Sequence, residues 1–159
     1  MWKKPKAVKW YLYRSRRTIL PMAAGRGGSI LKRIAVNIRN RVFSDSILLT
    51  LRRTGDFRPI RIPPQPSDAL LIECQSANPE LLLMDVAPTP EEATLKCRLE
   101  LTGKLRQELP GCKSALLCDE VAYPELARAV MRAKQAGQID AFFYASVTAE
   151  YLTAALDAL

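Results

Sequence analysis

From residue 32 onward, short apolar runs alternate with longer stretches whose apolar residues recur at helical spacing. Arg33-Ile-Ala-Val-Asn-Ile38 predicts a strand. Val42 to Arg53 predicts a helix with Val42, Phe43, Ile47, Leu48 and Leu51 on one face, closed by Gly55. Arg58-Pro-Ile-Arg-Ile62 predicts a second strand, and its proline and arginines suit a sheet edge. Pro63-Pro-Gln-Pro66 then makes a stiff turn, and Ser67 and Asp68 are the expected caps of a short helix ending before Pro79. Leu81-Leu-Leu-Met84 is apolar on every residue, as a strand covered on both faces must be. A helix rich in leucine and charge is expected from about Pro90 to Leu109, followed by a strand over Ser114–Cys118. Pro124 suits the first turn of a helix reaching Gln135, with Gly137 beyond its end. Ala141–Tyr144 makes the fifth strand, and Thr148 caps a last helix.

Five strand–helix units of this kind predict one α/β domain, a doubly wound parallel sheet over residues 32–159. Charge separates that domain from what precedes it. Residues 1–33 hold ten Lys/Arg and no acid, whereas residues 34–159 hold fourteen against sixteen Asp/Glu. The formal net charge of +8 is thus +10 over residues 1–33 and −2 over the mildly acidic remainder, and residues 1–31 form a basic arm. The arm is expected to be disordered, with Gly25-Arg-Gly-Gly-Ser29 as a linker. Its attraction to polyanions would be blind to sequence and weakened by salt.

Composition removes several chemistries. The chain has no histidine, so Ser–His–Asp and Cys–His catalysis and histidine-ligated metals are excluded. Cys74, Cys97, Cys112 and Cys118 show no C-x-x-C spacing and lie in or beside apolar runs, which predicts reduced, mostly buried thiols in a cytoplasmic protein. No apolar stretch approaches the roughly 20 residues of a membrane span. Neither G-x-G-x-x-G nor a P-loop occurs. In a doubly wound sheet, ligands bind beyond the carboxyl ends of the strands. Asp85, directly after the third apolar strand, stands at such a place, either as a site residue or as a cap in the next loop.

Leu81-Leu-Leu-Met-Asp-Val86, together with Asn40-Arg-Val-Phe-Ser-Asp-Ser-Ile47, Lys134-Gln-Ala-Gly137 and Ala141-Phe-Phe-Tyr-Ala-Ser-Val147, resembles the receiver domain of bacterial two-component response regulators. The resemblance covers residues 32–159 in order and length. It implies a flavodoxin-like (βα)5 sheet with strand order 2-1-3-4-5 and places Asp85 in the phosphoacceptor position. It also implies acidic residues at the end of the first strand to help hold Mg²⁺, but the stretch there is Asn37-Ile-Arg-Asn40, so Ile38 and Arg39 occupy the acidic-pocket positions. Cys118 stands where the family has a hydroxyl residue. Tyr144 or Ala145 stands where it has a lysine, and Phe142 lies near its switch aromatic. Ala87-Pro-Thr-Pro90 also departs from the family's loop. Of that site only Asp85 is kept, the pattern of a degenerate receiver, or pseudo-receiver. Asp119 and Glu120 offer replacement carboxylates or, alternatively, are solvated or cap the next helix.

The resemblance implies a regulatory protein-interaction module in two-component phosphorelay signalling rather than an enzyme. Its expected partners are a histidine kinase, another response regulator or a second copy of itself, docked on the fourth and fifth helices and fifth strand, with no membrane. Two alternatives remain at this stage: a conventional receiver phosphorylated on Asp85, and a nucleic-acid-associated regulator working through the basic arm. No cofactor is expected, and Mg²⁺ should bind weakly or not at all. The winding makes strands one and three neighbours, so Arg39, if it turns into the cleft, reaches Asp85 and takes the electrostatic place of the metal.

Overall fold

The computed structural model describes residues 30–159; most of the basic arm, and with it the expectation of disorder there, lies outside them. Five strands, β1 (Lys32–Asn37), β2 (Phe57–Arg61), β3 (Leu81–Val86), β4 (Lys113–Cys118) and β5 (Ala141–Tyr144), form one sheet in the order β2-β1-β3-β4-β5. Every neighbouring pair is parallel. Five helices connect and follow them: α1 (Arg41–Thr54), α2 (Ser67–Ala77), α3 (Leu95–Glu108), α4 (Pro124–Gln135) and α5 (Ala149–Asp157). This is the expected winding, with β2 and its Pro59 at an edge and β3, apolar from Leu81 to Met84, in the centre.

The period of two along each strand divides the core into two layers. Ala35, Leu82, Met84 and Leu116 meet Leu70 of α2, Leu101 and Leu105 of α3 and Val130 of α4. Ile34, Leu81, Leu83 and Leu117 meet Ile47, Leu48 and Leu51 of α1 and Leu152 and Leu156 of α5. Successive residues of β3 thus serve opposite layers, which is why the strand shows no polar alternation. Phe142 and Phe143 are split in the same way.

Caps set the helix ends. Asn40 Oδ1 accepts from Phe43 N at the start of α1, and Gly55 closes that helix at φ 73°. Thr148 Oγ1 accepts from Tyr151 N at the start of α5. Two expectations are corrected. The helix anticipated from Pro90 starts at Leu95 after a 3₁₀ turn, Glu91–Ala93, because the Thr94 hydroxyl accepts from Cys97 N and nucleates the α-helix there. Ser67 and Asp68 do not cap α2: Pro66 occupies the cap position without a side-chain bond, and Asp68 pairs instead with Lys104 of α3 at 2.9 Å. At the opposite rim of the sheet, Lys32 Nζ donates to the carbonyls of Leu156 (3.3 Å) and Asp157 (2.8 Å), a cation on the negative end of α5.

Candidate functional site

Each residue leaving β1 has a separate task. Asn37 is buried, and its side-chain amide donates to the Ile62 and Pro63 carbonyls at 3.1 and 3.0 Å, tying the strand to the turn after β2. Ile38 enters the apolar layer beneath α1, and Asn40 caps α1. Between them, Arg39 turns toward the end of β3. The β1–β3 register, Asn37 opposite Met84, sets Arg39 one residue beyond the level of Asp85, within reach of its carboxylate.

Asp85 accepts from two arginines. Oδ2 takes Arg39 Nε at 2.9 Å and the Arg39 backbone N–H at 3.4 Å. Oδ1 takes Arg98 Nη2 at 3.2 Å, while Arg98 Nε donates to the Asp85 carbonyl at 2.9 Å. Arg39 also donates through Nη1 to the Thr89 carbonyl, which joins the loop after β3 to the cluster. The side chains of Arg39, Asp85 and Arg98 are 29%, 13% and 2% exposed. The anticipated Arg39–Asp85 pair is therefore present, and a second, more deeply buried guanidinium completes it.

Arg98 lies in the first turns of α3, and the helix start at Thr94 brings it over the end of β3. Its stem packs beside Met84, with Nη1 at 3.7 Å from the thioether sulfur. Burial pushes its pKa below the ordinary arginine value, and the adjacent Asp85 carboxylate offsets part of that shift. Sequence reasoning missed this residue, although a signal existed. Arg98, Leu101, Thr102 and Leu105 are the buried positions of α3, so Arg98 begins the helix's inward stripe. An arginine on such a stripe must find an anion, because an unpaired buried charge is too costly.

The other predicted positions are not drawn into this cluster. Cys118 is buried at the end of β4, where its carbonyl accepts from Ala145 N at 2.8 Å. Burial, with Asp119 and Glu120 nearby, pushes its thiol up to about 11. Phe142 packs partly into one core layer and meets Tyr144 edge to face, ring centroids 5.6 Å apart. Ala145, just beyond β5, offers only its backbone. Asp119 Oδ1 accepts from Val121 N and Ala122 N, shaping its own loop rather than capping α4. Glu120 pairs with the Ser146 hydroxyl, which holds its carboxyl below the usual range.

Mg²⁺ seeks several oxygen ligands around a carboxylate. Here both oxygens of Asp85 face guanidinium groups, and the end of β1 supplies no acid. Among the described residues no group of three or more Cys, Asp or Glu is placed to hold a metal. The residues present do not fit the ion.

No protein-family model matches the sequence, and no curated protein matches it. Solved structures do share the fold. The signal receiver domain of NarL from Mycobacterium tuberculosis is 18% identical, with TM-score 0.60 over 79% of this chain and 93% of that one. The response regulator TrrA from Thermotoga maritima, in complex with Mg²⁺ and BeF, is 19% identical, with TM-score 0.59 over 80% and 98%. A pilus assembly-related protein from Burkholderia pseudomallei is 17% identical, with TM-score 0.58 over 83% and 91%. The chain has the fold of a response-regulator receiver domain. Among the described residues, no helix is long and apolar enough to cross a membrane.

Proposed function

We propose that this chain is a receiver-fold interaction module of two-component signalling whose aspartate is held by arginines instead of accepting phosphate. The observation that carries the reading is the occupation of both Asp85 oxygens by Arg39 and Arg98. Phosphoryl transfer would need a free carboxylate oxygen as nucleophile and a cation bound beside it to gather the phosphoryl oxygens. The guanidinium groups supply positive charge, but their N–H donors occupy the attacking oxygens, and Arg39 stands where the second metal ligand would be. The module then remains in one state irrespective of phosphodonors. Its role is regulatory and non-enzymatic, in the cytoplasm, on protein partners such as a histidine kinase, another response regulator or a second copy. The face formed by α4, β5 and α5 suits that docking. Tyr144 and Tyr151 are partly exposed there, beside an apolar hollow of about 320 Å³.

The test is exposure of the purified protein to acetyl phosphate with Mg²⁺, followed by intact-mass and peptide mass spectrometry. The expected result is unmodified Asp85. Ready phosphorylation of Asp85 with Arg39 and Arg98 intact overturns the reading.

A further inference from the structure

A second feature lies on the other side of Arg39. A cavity of about 590 Å³ opens between the carboxyl ends of β1 and β2, within the size range of small-ligand pockets. Its polar lining is Arg39, Arg41, Arg61 and Asp45; Ile38, Ile62, Pro63 and Pro64 make the remainder. Three guanidinium groups and one carboxylate leave two net positive charges. The carboxylate is already committed, since Asp45 pairs with Arg61. Arg41 is exposed and has no hydrogen-bond or ion-pair partner among the described residues. It is also the first residue of α1, whose first turn carries no acid, so its charge adds to the positive end of the helix. In fold terms this arrangement is unfavourable, because cations belong at the other helix end. An anion in the cavity relieves it.

We infer that this cavity binds a small organic phosphate monoester, its phosphate on Arg39, Arg41 and Arg61 and its apolar body on the Ile62–Pro64 wall. A dianionic phosphate matches the two net charges, and guanidinium forks match its oxygens in pairs. Pro63 and Pro64 carry no N–H groups, so that wall offers van der Waals contact rather than hydrogen bonds to the rest of the ligand. Arg39 retains Nη2 for this task while Nε stays on Asp85 and Nη1 on Thr89. The inference is independent of whether Asp85 accepts phosphate, since it concerns binding and not transfer.

The test is titration of the full chain with phenyl phosphate, without Mg²⁺, followed by backbone and arginine side-chain NMR. Saturable shifts are expected at residues 38–45 and 61–64, with inorganic phosphate and benzoate each weaker by about tenfold. Arg41→Ala removes an unpartnered surface side chain, so the fold is retained, and it should weaken phenyl phosphate by about tenfold. Arg41→Lys should restore only part of the loss, and Lys104→Ala, remote from the cavity, should change nothing. Absence of saturation by about 10 mM overturns the inference. So does equal binding of benzoate, or an Arg41→Ala protein that binds as the wild type does.

Discussion

Arg98 is an arginine in a core position, and its cost is met by one carboxylate and one carbonyl of the same residue. Truncating it removes packing against Met84 and leaves one side of Asp85 unpartnered. Arg98→Ala should therefore lower unfolding stability by about 3 kcal/mol, measured by urea denaturation. Arg98→Met combined with Asp85→Leu should recover much of that loss, because an apolar pair avoids burying charge. The thiols give a second residue-scale expectation. Burial pushes Cys74 up to about 12, and Cys112 and Cys118 each to about 11. An unfolded thiol loses its proton near pH 9, so above that pH the folded state binds more protons than the unfolded one. The thiols' contribution to stability is complete below about pH 9 and is lost as pH rises toward 11, which pH-dependent urea midpoints will show. In native protein a thiol reagent should reach Cys97 first, since the other three are buried. Asp85 and Arg39 were legible because one directly follows the apolar run Leu81–Met84 and the other follows the neighbouring strand. Arg98 was not, because leucine and charge are mixed along its helix and only the start at Thr94 fixes which face turns inward.

Elements were legible where local chemistry alone decides them. Gly55 and Gly137 end helices in left-handed conformations at φ 73° and 75°, and both were anticipated from the fading of the apolar period. The Cβ of an alanine at Gly55 would meet nothing within 4 Å, so Gly55→Ala costs only backbone strain, about 1 kcal/mol in chemical denaturation. The cap of α2 was misread and the start of α3 misplaced, because Ser, Thr and Asp are common both in caps and in turns, and only the path of the preceding loop decides which of them is used. Thr94→Ala should accordingly cost about 1 kcal/mol. Ser67→Ala, at a helix start with no side-chain bond, should stay within about 0.5 kcal/mol of wild type. The same denaturation series measures both.

At the scale of the molecule, both apolar layers share a single sheet, and β3 contributes alternate residues to each. Losing either layer exposes the other through that strand, so heating should unfold residues 30–159 in one transition, with calorimetric and van't Hoff enthalpies equal. The order of strands was implied by the family resemblance, and the unbroken apolar run Leu81–Met84 of β3 suits its central place. The site was readable only in part, since its third member comes from an element that meets the sheet by packing. One contact described for its chemistry also orients the whole body. Lys32 fastens the first strand to the last helix, so residues 30–32 and 156–159 share a rim, and Asp85 lies near the other, about 20 Å away along a six-residue strand. The domain has a mooring end and a working end. A surface, a tag or a neighbouring chain attached at the mooring leaves the arginine-held carboxylate and the cavity beside it facing outward.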